Sequence, residues 1–207
     1  MRTIIGVFCV ALFALAFSPR TVAPAQTADL KPEHCLGGGL DAPIRIEVFS
    51  DFECPACREF YLNTVRQVLK EYCSLNKVCV VYREFPLQGH KHSRFAARYS
   101  KAAQRLGRNQ WQTVMEVLYE KQEKWFQDGS VDDVVLNALG ADEYFRLKKL
   151  LLDPSIDAEI DGEIAMGKKK VVESTPTFFV YAVGKEQKVT GIIPYPVLKE
   201  FLDTIIK

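Results

Sequence analysis

The stretch Ile44–Arg58, IRIEVFSDFECPACR, constrains the fold more than any other. Ile44, Ile46 and Val48 alternate with Arg45, Glu47 and Phe49, the two-residue period of a β-strand. After Cys54 the period changes, and Phe60, Val65, Val68 and Leu69 form a helical stripe through about Tyr72. Pro55 suits a first helical position, where its missing N–H is harmless and its φ is preset. Lys77–Phe85, KVCVVYREF, reads as a second strand. Its unbroken apolar run indicates two covered faces, as in a parallel sheet. The first unit is therefore β-α-β, with a right-handed crossover.

The middle of the chain is helical. His92–Leu106 is closed by Gly107, Gln110–Lys124 carries Trp111, Val114 and Leu118, and Val131–Leu139 ends at Gly140. Asp142–Leu152 stops at Asp153-Pro154, and Ile156–Lys170 is weakened by Gly162 and Gly167. Gly after a periodic run and Pro just beyond it are helix-stop signals. The chain then returns to strands, Thr177–Ala182 and a hairpin partner at Lys188–Thr190, and closes with a helix over Pro196–Ile206. The class is α/β, with the order β-α-β, a helical block, then β-β-α.

Residues 1–25 read as a cleavable signal peptide rather than as fold. Arg2 precedes an apolar run, and Ala23-Pro24-Ala25 fits a small-residue cleavage pattern. The run Thr3–Phe17 is shorter than the roughly 20 residues a bilayer span needs, so an uncleaved anchor is the alternative. Removing Arg2 and Arg20 turns the net charge of +1 to −1, which gives no electrostatic case for nucleic acid or an anionic membrane. Export places the remaining cysteines where disulfides persist. They are Cys35, Cys54, Cys57, Cys73 and Cys79, an odd set that leaves at least one thiol unpaired within the chain.

Cys54 and Cys57 carry the chemistry. At the N-cap, the Cys54 sulfur faces the N–H groups of Ala56 and Cys57 and the positive end of the helix, which favour a thiolate. Cys57, one turn on, faces back and can close a disulfide with it. Cys54 would then exchange with a client and Cys57 would resolve the mixed disulfide. Other uses of CxxC fit less well. A zinc site needs four ligands, but there is one CxxC, and His90 and His92 are far off and only two apart; covalent haem wants His where Arg58 stands. No metal and no cofactor are expected.

Several motifs in order resemble the DsbA-like thiol:disulfide oxidoreductases of the thioredoxin superfamily. They are FSDFECPAC at 49–57, REFPL at 83–87 with His90 and Ala96-Ala97 after it, STPTFFV at 174–180, and GIIPY at 191–195. The resemblance spans 44–207 and implies a thioredoxin-like core, 44–88 and 171–207, interrupted by an all-helical lid at 89–170, with 26–43 as a lead-in. It implies that Thr175-Pro176 is cis and lies against the active-site pair with Pro55 and Ala56, and that the backbone of Thr175 meets an extended client by strand addition. It implies re-oxidation by a membrane quinone-linked partner. Two positions depart from the family's pattern. Val48 stands where a buried acid often accepts a proton, and strand alternation turns Glu47 to the opposite face. Ala56 stands where the strongest oxidants have His, so a more moderate oxidant is expected.

Cys73 and Cys79, on either side of a turn at Asn76, are expected to form a structural disulfide. A second redox pair and two buried thiols are the alternatives, and Cys35 is left over. His90 could assist Cys54, but capping the lid helix or ordering its loop is the favoured role. Trp111 and Trp125 are expected in the lid core, and Tyr195 at the rim of a client groove. The reading is a periplasmic or secreted, monomeric thiol:disulfide oxidoreductase, acting as an oxidase on reduced client proteins. A reductase or isomerase, and a non-catalytic chaperone or binding protein using the same groove, are the alternatives.

Overall fold

The computed structural model describes residues 30–206. The expected signal peptide and Cys9 lie outside the described residues. A 3-10 turn at Pro32–His34 leads into β1, Cys35–Gly37. β2 is Ile44–Ser50 and runs into a single helical rod, composed of α1, Pro55–Phe60, a π-helical turn at Tyr61–Val65, and α2, Arg66–Glu71. β3 comes next at Val78–Glu84. Six helices succeed it: α3 Ser93–Leu106, α4 Arg108–Glu120, α5 Gln122–Trp125, α6 Val131–Leu139, α7 Ala141–Leu150 and α8 Ser155–Lys169. The hairpin β4, Thr177–Ala182, and β5, Lys185–Thr190, and the helix α9, Tyr195–Ile205, complete the chain.

The sheet order is β1-β3-β2-β4-β5. β2 and β3 are parallel, while β1, β4 and β5 each run antiparallel to the neighbour they join. The lead-in thus contributes to the sheet: β1 forms an edge strand on β3. The turn after β1 is fixed by Gly38, at φ +73, where a Cβ would lie 2.0 Å from the Val78 carbonyl oxygen. The Gly39 N–H donates to Asn76 Oδ1 at 2.8 Å.

Side chains alternate across the strands, so each sheet face has its own core. On one face, Val48, Val80, Tyr82 and Phe178 pack with α1, α3, α4 and α9. On the other, Phe49, Phe85, Phe179 and Tyr181 pack beneath α8. Gly167 explains why a glycine sits in α8: a Cβ there would come 2.5 Å from the Phe85 ring. Trp111 and Trp125 are buried as expected, their indole N–H groups donating to Ser100 Oγ at 3.0 Å and Leu118 O at 2.8 Å.

A buried ionic network joins the helices to the sheet. Arg83 Nε donates to Glu47 Oε1 at 3.0 Å and its Nη1 to Glu163 Oε1 at 3.2 Å. Lys101 Nζ reaches the same Glu163 oxygen at 2.7 Å, and the Glu84 N–H donates to Glu163 Oε2 at 2.8 Å. Removing one partner of such a network would strand a charge in the interior.

The expected Cys73–Cys79 disulfide is not formed. Cys79 is bonded to Cys35, with Cα atoms 5.8 Å apart, and Cys73 is a buried free thiol. The reason is sheet geometry. Cys79 and Val81 point to one face of β3, where Cys35 of the adjacent strand meets them. Cys73 packs on the other face with Val78 and Val80. Two cysteines close in sequence are therefore held on opposite sides of the sheet.

Candidate active site at the first strand–helix junction

β2 ends at Ser50, and four residues later Cys54 takes an extended conformation (φ −71°, ψ 119°) before Pro55 opens α1. The loop between them is held by its own acids. Asp51 accepts from the Glu53 N–H at 2.8 Å, Ser93 Oγ at 2.6 Å, the Leu87 N–H at 2.7 Å and His90 Nδ1 at 2.8 Å. Glu53 accepts from the N–H groups of His92 and Ser93 at 2.9 and 2.8 Å, and so caps α3. His90 therefore orders the loop through Asp51. From α5, Gln122 Nε2 donates to Phe52 O at 2.6 Å and Cys54 O at 3.1 Å. The inserted helices thus grip the loop that presents the cysteines.

The two sulfurs differ sharply. Cys54 lies at the surface edge, 8% exposed, and Cys57 is fully enclosed. The Cys54 thiol is held far below its ordinary value, at about 5. The largest cause is a hydrogen bond from the Cys57 thiol; burial opposes it, and the Thr175 side chain and the N–H groups of Cys57 and Ala56 add to it. The protonated thiol instead contacts the Thr175 carbonyl at 3.3 Å, which favours the neutral form. The Thr175 hydroxyl has no other partner and is free to donate once the proton leaves. Cys57 is pushed the other way, chiefly by burial and then by the hydrogen bond and charge of Cys54.

Thr175-Pro176 is a cis peptide bond, and it places the Thr175 carbonyl against Cys54. Pro55 and Ala56 form the first turn between the sulfurs; Ala56 contributes only its backbone N–H to the thiolate. Glu47 lies on the opposite sheet face, committed to Arg83 and, at 3.1 Å, to the Tyr181 hydroxyl. Val48 packs in the same core as Cys57. Tyr195 starts α9, half-buried against that core. An apolar cleft of about 260 Å³ lies between β5 and α9, lined by Val189, Ile193, Val197 and Phe201, and Tyr195 is not among its walls.

Sequence reasoning missed the loop acids, Gln122, and a buried hydroxyl group of three. Ser50 Oγ bonds the Tyr119 hydroxyl at 2.9 Å, which bonds the Tyr82 hydroxyl at 2.8 Å. The available signal was Asp51 and Glu53 in a loop otherwise made of Phe52 and the cysteines, since acids beside an apolar helix start act as caps.

The chain matches the family described as Thioredoxin over residues 31–204. It is 25% identical over 147 residues to the probable disulfide bond formation protein D of Bacillus cereus, covering 69% of this chain and 68% of that protein. It is 23% identical over 179 residues to disulfide bond formation protein D of Bacillus subtilis, covering 82% and 76%. Among solved structures, alpha-DsbA1 of Wolbachia pipientis superposes with a TM-score of 0.70 at 17% identity, over 82% of this chain and 88% of that one. DsbA2 of Pseudomonas aeruginosa gives 0.65 at 24% identity, over 83% and 93%. At these identities the two structures establish a shared fold.

Proposed function

We propose, from the premise that the chain belongs to the thioredoxin family, that it is an exported thiol:disulfide oxidoreductase whose Cys54–Cys57 disulfide oxidises client proteins. A client thiolate attacks Cys54 Sγ, the Cys54–Cys57 bond breaks, and the electron pair leaves on Cys57. A second client thiolate then attacks the client's own sulfur in the mixed disulfide and releases Cys54 as a thiolate. Residues 44–88 and 171–207 form the core that carries the pair, and 89–170 the lid that holds its loop. An extended client lies along Thr175-Pro176 and the apolar cleft beside α9. A membrane quinone-linked partner restores the disulfide, and the chain works as a monomer in the periplasm or outside the cell. The Cys35–Cys79 bond suits an oxidising compartment. Among the described residues no helix is long and apolar enough to cross a membrane.

The observation that carries this reading is the split between the thiols, with Cys54 at about 5 and Cys57 raised. A stable Cys54 thiolate is a good leaving group and favours the reduced pair, which makes the disulfide an oxidant. The thioredoxin thiol ionises near 7 and its pair sits near −270 mV. A thiolate two units lower makes this pair roughly 50 mV more oxidising at pH 7, near −220 mV. Structural disulfides below about −300 mV lie within its reach. Equilibration in glutathione buffers, read by thiol alkylation, is expected to give a potential above about −240 mV. A value at or below −270 mV would make the chain a reductase.

A further inference from the structure

When Cys57 leaves, its sulfur is enclosed and needs a proton. Val48 cannot supply one, and Glu47 is engaged on the far face. β3 offers another acid. Val80, Tyr82 and Glu84 alternate onto the Cys57 face, while Val81 and Arg83 point away. Glu84 is opposite Ser50 in the parallel register of β2 and β3. It is 1% exposed, and neither carboxyl oxygen has a hydrogen-bond partner. A carboxyl buried this deeply is costly as an ion and prefers to keep its proton.

Ser50 is the natural link. Its hydroxyl meets Tyr119, which meets Tyr82, and it is also a hydrogen-bonding neighbour of the Cys57 sulfur. The Asp51 N–H lies 3.5 Å from the same sulfur. Burial pushes Glu84 up to about 8; Lys101 and the Ser100 hydroxyl favour its charge, and Glu163 and Asp51 oppose it. The carboxyl is thus mostly protonated at neutral pH.

Building on the oxidoreductase reading, we propose that Glu84 is the proton donor and acceptor for Cys57, acting through the Ser50 hydroxyl. As the client thiolate attacks Cys54, the electron pair of the broken bond goes to Cys57 Sγ. Ser50 gives that sulfur its proton and recovers one from the Glu84 carboxyl beside it on β3, after a side-chain rotation brings the two oxygens together. The proton lost by the second client thiol restores the carboxyl through solvent. Glu84 touches neither client nor reacting sulfur and is a positioning residue for the proton.

The test is the reaction of the oxidised chain with dithiothreitol by stopped flow from pH 5 to 9, with rates corrected for the reagent's own thiolate. The wild-type corrected rate is expected to fall above about pH 8, where Glu84 loses its proton. Glu84→Gln is expected to be about tenfold slower at pH 7 and to lack the bend, while the Cys54 thiolate titration stays in place. A variant within twofold of wild type at every pH, or slowed by one factor throughout, overturns the proposal. So does a wild-type profile without the bend, which needs no variant. Should Glu84→Gln fail to fold, Ser50→Ala must remove the same bend; its persistence overturns the relay. A wild-type chain that does not react at all would instead sink the oxidoreductase reading.

Discussion

Cys54→Ser abolishes oxidation of a reduced dithiol client, lowering the rate by a factor on the order of 10³ or more. Losses of that size accompany removal of a nucleophile that acts as a unit with its partners. A serine hydroxyl at this position can neither form the Cys54–Cys57 bond nor receive a client sulfur. Cys57→Ser behaves differently. Cys54 remains at the surface edge with its stabilised thiolate, so it still exchanges with disulfide-bearing reagents. No enclosed thiol then stands behind it to resolve the adduct, and a mixed disulfide at Cys54 accumulates, visible by intact mass. Client oxidation that survives in Cys54→Ser, or adducts that form at Cys57 first, would contradict the assignment of roles.

Paired replacement of Cys35 and Cys79 by alanine costs about 4 kcal/mol of stability in urea. The bond closes a long loop, its ends 44 residues apart, and the chain-entropy account gives a loop of this length about 4 kcal/mol. The pair lies on the β1–β3 edge, within a cluster separate from the one holding Cys54, so client oxidation persists at temperatures where the variant is folded. Cys73→Ala, which removes a buried thiol but no bond, leaves the Cys35–Cys79 disulfide intact by mass. A chain in which Cys73→Ala destroys the disulfide would restore the Cys73–Cys79 pairing and refute the register of β1.

Much of this architecture is written in local periodicity. Val131–Leu139 and Thr177–Ala182 can be read to the residue, because Gly140 stops one and a continuous apolar run defines the other. The N-cap position of Cys54 was equally legible, since Pro55 and the change of period after Cys54 fix it there. The features that escaped depend on long-range register. β1 has three residues, too few to show a period, and without it Cys35 has no visible partner. The cis bond at Thr175-Pro176 could be expected only from the family resemblance, as local sequence favours trans. Glu84 sits next to Arg83 at the end of a strand, and nothing local to the sequence sets its role apart. Only the packing of α3 over the sheet, which brings Ser100 and Lys101 near the Glu84 carboxyl, and the pairing of Arg83 with Glu47 and Glu163 instead, leaves that carboxyl enclosed.

The fold is held to ionise one sulfur, Cys54, and to keep its neighbour protonated. Thiolate absorbance of the reduced chain, titrated with acid from pH 8 to 3, measures this directly. One thiolate is expected to disappear with a midpoint near pH 5. It should be absent in Cys54→Ser and unchanged in Cys73→Ala, whose thiol burial holds at about 12. A chain with no ionised sulfur below about pH 8, or one whose thiolate signal survives Cys54→Ser, would contradict it.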